Sequence, residues 1–146
     1  MRKPVRRNFL LFPAVFKQLR KSRRLLQKVV ALDLGMDPSV LCGVEGGTRP
    51  PPELALLQQA ALLFQLTAAE SQQLLWAAHH DRLIGCLGQR GASDEEMELF
   101  STGLSTMRHL SQIQVQGLLA SLNKISKSAT LLSSLSSNES KEVVMT

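Results

Sequence analysis

Apolar residues recur every three or four positions along most of the chain, with polar residues between them, and this pattern is typical of amphipathic helices. Clear examples are Val15, Phe16 and Leu19 in one segment and Val30 and Leu34 in the next. Leu, Ala and Gln dominate the sequence and β-branched runs are few, which favours helix over strand. The pattern therefore predicts an all-α protein.

Capping residues mark the predicted helix boundaries. Gly35 is typical of the left-handed cap that ends a helix, and Asp37 followed by Pro38 is typical of the residues that begin the next one. Thr67 and Glu70 have the spacing of a capping box, in which each satisfies a backbone N–H of the other. We therefore predict five helices at about residues 14–24, 27–34, 38–45, 53–66 and 68–82.

A motif lies between Leu25 and Pro50. Its characteristic positions are Gln27, Ala31, Leu34, Gly35, Ser39, Leu41, Val44, Glu45, Gly47, Arg49 and Pro50. In this spacing the segment resembles the helix-turn-helix of the Cro/C1-type, or Xre, transcriptional regulators of bacteria and phages. The resemblance covers about residues 14–83 and implies a five-helix, lambda-repressor-like DNA-binding domain. In such a domain the second helix of the motif lies in the major groove and the first braces it.

The resemblance also implies roles for single residues. Gln27 would bind a phosphate at the start of its helix, and Glu45 would be mainly structural. The positions that face or border the groove fall on Pro38, Ser39, Val40, Cys42 and Gly43. None of these is the Gln, Asn or Arg that makes bidentate contacts with a purine, so we expect phosphates to supply most of the affinity. The predicted phosphate contacts come from Arg20, Lys21, Arg24, Gln27, Lys28, Thr48 and Arg49.

The charge distribution agrees with a polyanionic partner. Residues 1–32 carry ten Lys and Arg side chains and no acid, whereas the whole chain has a net charge of +5, so the remaining 114 residues sum to −5. Basic side chains gain affinity by releasing counterions from phosphates. We predict that the first helix directs four of these side chains outward: Lys17, Arg20, Lys21 and Arg24. The favoured partner is double-stranded DNA, and the alternative partners are RNA and anionic lipid.

A second apolar pattern lies near the C-terminus. Val115, Leu118, Leu122, Ile125, Ala129 and Leu132 are separated by 3, 4, 3, 4 and 3 positions, the a/d spacing of a coiled-coil seam. This spacing predicts a helix that forms a homodimer. The alternative is an amphipathic helix that packs on its own domain, since the flanking positions carry no clear charge code.

Other functional classes receive little support from the sequence. Cys42 and Cys86 are too few for a disulfide scaffold and lack metal-binding spacing, so we expect reduced thiols, no metal and no cofactor. We find no Ser, His and Asp pattern for nucleophilic catalysis and predict that the protein is not an enzyme. The short apolar run at residues 9–12 predicts no membrane span. A cytoplasmic, nucleoid-associated protein is expected.

These inferences give one predicted layout. It comprises a basic N-terminal arm (1–13), a helix-turn-helix domain (14–83), a linker (84–93), a helical dimerisation region (94–135) and a disordered tail (136–146). The predicted function is a sequence-specific transcriptional regulator, a dimeric repressor acting on an inverted-repeat operator. The alternative is a helix-turn-helix fold that serves as a protein-interaction adaptor or anti-activator with little specific DNA binding, because fold does not fix function.

Overall fold

The structure, a computed structural model, describes the backbone of residues 9–144 and the side chains of residues 9–139. Within this range the chain is all-α, as predicted, with seven helices and no strand. The helices are α1 (Phe12–Ser22), α2 (Gln27–Asp33), α3 (Pro38–Glu45), α4 (Leu54–Leu63), α5 (Ala68–Gln89), α6 (Asp94–Met107) and α7 (Gln112–Val144).

Three phenylalanines form the centre of the core. The ring of Phe16 lies 5.6 Å from that of Phe12 and 5.3 Å from that of Phe64, and all three side chains are buried. Around them α1 packs against α3 and α5, α2 against α3, and α4 against α5. Aromatic pairs at such distances add to the burial of apolar area. Phe12, which the predicted layout places in the N-terminal arm, begins α1 and belongs to this core, while residues 1–8 of the arm lie outside the described residues.

The turn between α2 and α3 and the start of α5 agree closely with the local signals. Gly35 has a φ of +65°, and the N–H of Met36 donates to the carbonyl of Ala31 over 2.8 Å, which closes the end of α2. The Asp37 carboxylate accepts the backbone N–H of Ser39 at 2.7 Å. The capping box of Thr67 and Glu70 at the start of α5 is confirmed, with both reciprocal hydrogen bonds present.

Helix α5 extends into the segment predicted as a linker at residues 84–93. α5 continues to Gln89 through Gly85 and Gly88, even though each glycine weakens a helix by about 1 kcal/mol relative to Ala. Ile84 is fully buried and Leu87 is partly buried, so packing along this face outweighs the glycine penalty. Only residues 90–93 form the turn before α6.

The chain divides into two compact units, Met1–Leu104 and Ser105–Thr146. In the first unit Met97 of α6 is buried. The second unit contains α7, whose 33 residues span about 50 Å. In the tail predicted to be disordered at 136–146, α7 continues as far as Val144. Ser136 and Ser137 donate their hydroxyl groups to the carbonyl of Ser133, so these serines bond within the helix instead of ending it.

Candidate nucleic-acid interface

Glu45, the last residue of α3, joins three helices. Its Oε1 accepts the Nε–H of Arg20 from α1 at 2.6 Å, and its Oε2 accepts Arg20 Nη2 at 3.0 Å. The same Oε2 accepts the side-chain amide of Gln27 from α2 at 2.9 Å. The remaining Nη1 of Arg20 donates to the carbonyl of Leu25 at 2.7 Å. Glu45 thus has the structural role that the family resemblance implies.

Arg20 was predicted to face outward and to contact DNA, and the outward orientation is wrong, because the side chain is buried. Arg20 is 7% exposed, and its guanidinium donates hydrogen bonds to the Glu45 carboxylate. These hydrogen bonds raise the pKa of Arg20 above its ordinary value. A signal for this burial exists in the sequence, because Arg20 follows Phe12 and Phe16 at intervals of four residues. Residues at that interval share one face of a helix, so Arg20 lies on the buried face.

Gln27 occupies the first position of α2, as predicted. Its amide nitrogen, however, is directed to Glu45, and the side chain is partly buried. One N–H of this amide is therefore engaged by the Glu45 carboxylate, and the second N–H is the side-chain donor left for the predicted phosphate contact. The bond to Glu45 also fixes the orientation of α2 against the end of α3.

Four cations remain on the outer surface of α1, of α2 and of the turn between them. Lys17, Lys21, Arg24 and Lys28 are all exposed. Arg23 is excluded from this group because it pairs with Glu70 through two hydrogen bonds of 2.7 Å and donates to the carbonyl of Phe64. We call Lys17, Lys21, Arg24 and Lys28 the basic face.

The N-terminal half of α3 presents small polar groups. The Ser39 hydroxyl donates to Asp37 Oδ1 over 2.5 Å, and this bond is the main cause of the lowered pKa of the Asp37 carboxyl. Ser39, with Pro38 and Cys42, is exposed, whereas Val40 is partly buried. The Ser39 hydroxyl, at a position that the resemblance assigns to the groove, therefore donates to Asp37, and its oxygen lone pairs are left to accept.

Gly43 lies under the segment that follows α3. The backbone N–H groups of Thr48 and Arg49 both donate to the Gly43 carbonyl, at 2.9 and 3.2 Å. A Cβ at Gly43 would lie 2.9 Å from the Cγ and Cδ of Arg49 and 3.1 Å from the Thr48 hydroxyl. The position that the resemblance assigns to the groove is therefore covered by the methylenes of an exposed arginine.

A Ser, His and Asp network is present that sequence reasoning missed. His80 Nδ1 lies 2.9 Å from Asp81 Oδ1, and His80 Nε2 lies 2.9 Å from the hydroxyl of Ser101 on α6. The imidazole is completely buried, and the Asp81 carboxylate also accepts the backbone N–H groups of Leu11 and Phe12 at 2.9 Å each. Asp81 thus caps α1, and the arrangement fastens α1 and α6 to α5.

The predicted seam lies along α7. Leu118, Leu122, Ile125 and Leu132 are 38%, 51%, 65% and 67% exposed, while Val115 is partly buried and Ala129 is exposed. These six residues, which we call the seam, form a stripe on the helix because they keep the 3 and 4 spacing. A stripe of this kind on one chain is apolar surface open to a partner.

The comparisons with protein-family models, curated proteins and solved structures find no match to this chain. In the described part of the chain there is no group of three or more His, Cys, Asp or Glu side chains that could hold a metal ion. Among the same residues no helix is long and apolar enough to cross a membrane.

Proposed function

We propose that this protein is a DNA-binding transcriptional regulator with a lambda-repressor-like helix-turn-helix of the Xre type, formed by α2 and α3. The observation that carries the proposal is the junction at Glu45, which fixes both helices of the motif to α1. A reading helix needs such bracing, because base contacts require its position to be fixed to a fraction of an ångström. The Gly35 turn and the Asp37 cap support the same assignment.

The basic face supplies a reason for affinity. Lys21 of α1, Arg24 of the turn after it and Lys28 of α2 are exposed on the segment that precedes α3, where phosphates of the DNA backbone would lie if α3 entered the major groove. Each phosphate neutralised by such a side chain releases counterions. In this proposal backbone contacts dominate the binding energy, and the protein needs no cofactor and performs no enzymatic reaction.

The seam on α7 supplies a reason for a dimer. Two copies of α7 that pack seam to seam would cover apolar side chains that are half exposed or more in one chain, such as Leu122 and Ile125. A two-fold dimer would place two α3 helices in successive major grooves about 34 Å apart. The proposed operator is therefore an inverted repeat, and its occupation in the cytoplasm would repress the adjacent promoter.

A protein-interaction adaptor is the second candidate, and one observation favours it. An apolar groove lies between α4 and α5, lined by Leu57, Ala61, Leu62, Leu66 and Leu74 among others. Leu62 is 79% exposed, a large apolar side chain of the kind found at protein contacts. The DNA-binding proposal is preferred because the groove does not account for the basic face.

In vitro selection of duplex DNA from a random pool tests the proposal directly. The purified protein is used at physiological salt with an excess of nonspecific competitor. We expect recovery of a palindromic motif whose half-site centres are one or a whole number of helical turns apart. Enrichment without any motif would contradict sequence-specific regulation, and no binding at all would favour the adaptor.

A further inference from the structure

The side chain of Arg49 occupies the place that Gly43 leaves vacant on α3. Its Cγ and Cδ each lie 2.9 Å from the point where a Cβ of residue 43 would stand. Ser39 and Gly43 are four residues apart and so share one face of α3. A side chain that crosses Gly43 therefore lies on the same face of the helix as Ser39.

The backbone after α3 holds Arg49 in this place. Gly47 has a φ of +75°, a conformation that favours glycine, and it reverses the chain after the helix. The Gly43 carbonyl then accepts the N–H groups of both Thr48 and Arg49 and also the Thr48 hydroxyl at 3.2 Å. Three donors on one carbonyl fix the start of the Arg49 side chain against the helix.

The charge of Arg49 reaches along α3 towards its N-terminus. The positive charge contributes to the lowered pKa of the Asp37 carboxyl, after the hydrogen bonds from Ser39. Asp37 is the N-cap of α3, six residues or about 9 Å along the helix axis before Gly43. The Arg49 methylenes lie over Gly43 on the outer face of α3, and the charge at the end of this side chain acts on the cap of the same helix.

We propose that Arg49 is a specificity-determining residue that reads a guanine in each half-site, in place of the side chain missing at Gly43. This inference depends on the proposed function, since it needs α3 in the major groove. Guanine presents O6 and N7 there, and the arginine fork fits these two acceptors in a bidentate contact. An arginine on the outer face of α3 meets base edges, whereas one on the flank would meet phosphates.

The test is to repeat the duplex selection with wild type, Arg49→Ala, Arg49→Lys and the control Lys28→Ala. We expect a guanine at one position of each wild-type half-site, and Arg49→Ala should lose about tenfold or more of the discrimination at that position alone. Arg49→Lys keeps the charge but not the fork, so the preference should weaken while overall binding remains. Lys28→Ala should weaken binding to all sequences equally, since Lys28 contacts phosphate in this proposal.

Two results would overturn the inference without touching the proposed function. One is a wild-type motif that lacks the guanine, and the other is an Arg49→Ala motif identical to that of wild type with uniformly weaker binding, as for Lys28→Ala. A wild-type protein that enriches no motif would instead overturn sequence-specific binding itself. The wild-type selection therefore separates failure of the Arg49 assignment from failure of the proposed function.

Discussion

Arg20 and Glu45, which are 25 positions apart in the sequence, form a two-point ion pair with N to O distances of 2.6 and 3.0 Å. Their side chains are 9% and 4% exposed. Burial of two charges is costly, and the cost is offset here because both carboxylate oxygens and all three guanidinium nitrogens have partners. The pair therefore fixes the end of α3 to α1.

Removal of one partner should be strongly destabilising. We expect Glu45→Gln to lower the free energy of unfolding by about 3 kcal/mol, because Arg20 would keep its charge in a buried site without a counter-ion. Urea unfolding followed by helical circular dichroism measures this change. The neighbouring exposed Lys21→Ala is the control and should change stability by no more than about 0.5 kcal/mol. The double variant Arg20→Met/Glu45→Met should recover part of the loss, and a Glu45→Gln protein as stable as the control would contradict the assignment.

The difference between Arg20 and Asp37 shows how far the sequence could predict this fold. Asp37 and Gly35 act on residues next to them, so their roles follow from local patterns, and the structure confirms both. Arg20 depends on a carboxylate 25 residues away. Charged residues are usually exposed, and this tendency predicted an exposed Arg20. The four-residue spacing from Phe12 and Phe16 indicated the opposite and was the correct signal.

The candidate site was predicted less completely than the fold, because more of its contacts join residues that are distant in the sequence. The position of Gly43 on α3 follows from the motif, but its cover by Arg49 depends on how the next loop turns back. The seam could be recognised from periodicity alone. By contrast, the hydrogen bonds from Leu11 and Phe12 to Asp81 join residues about 70 positions apart, a pairing that no local pattern in the sequence indicates.

Asp81 should contribute to stability as the cap of α1. Asp81→Asn leaves one oxygen in place of two for the N–H groups of Leu11 and Phe12 and removes the charge beside His80, so we expect a loss of about 2 kcal/mol. Thermal and urea unfolding measure it. Asp33→Asn, at the exposed end of α2, is the control and should change stability little. Equal stability of the two variants would show that Asp81 does not cap α1.

Glu70 should make stability depend on pH in the acid range. The hydrogen bonds from Arg23 are the main reason that the pKa of the Glu70 carboxyl falls from 4.5 to about 2 in the folded protein. The folded state therefore binds this proton more weakly than the unfolded state, and the stabilising contribution is present above about pH 5 and is lost as the pH falls towards 2.

Glu70→Gln isolates this effect, because Gln can still accept the Thr67 N–H of the capping box. We expect the variant to be less stable than wild type at pH 7 and the difference to shrink between pH 5 and pH 2. Urea midpoints at pH 7, 5, 3 and 2 measure it, with Glu98→Gln on the exposed side of α6 as the control. A difference that stays constant over this range would contradict the role of the Arg23 pair.

The basic face should determine how DNA affinity depends on salt. If Lys21 and Lys28 each neutralise a phosphate, the slope of log affinity against log salt should become shallower by roughly 1 for each residue replaced by Ala. Fluorescence anisotropy with a labelled duplex measures the slope between low and physiological salt. Lys124→Ala, on α7, removes the same charge but is not part of the basic face, so it should leave the slope unchanged. A wild-type slope near zero would exclude binding through phosphates.

The seam should hold two copies of the chain together. Leu122→Asp places a charge in the centre of the seam, and we expect the variant to sediment as a monomer in analytical ultracentrifugation while wild type sediments as a dimer. Leu131→Asp is a matched control, since Leu131 lies on the same helix, outside the seam, and is 61% exposed against 51% for Leu122. The control should remain dimeric. If the Leu122→Asp variant is still a dimer, the dimer interface lies outside α7. A monomer would also lose the avidity that joins two half-sites, so its affinity for the inverted repeat should fall by about tenfold or more while its affinity for a single half-site stays the same.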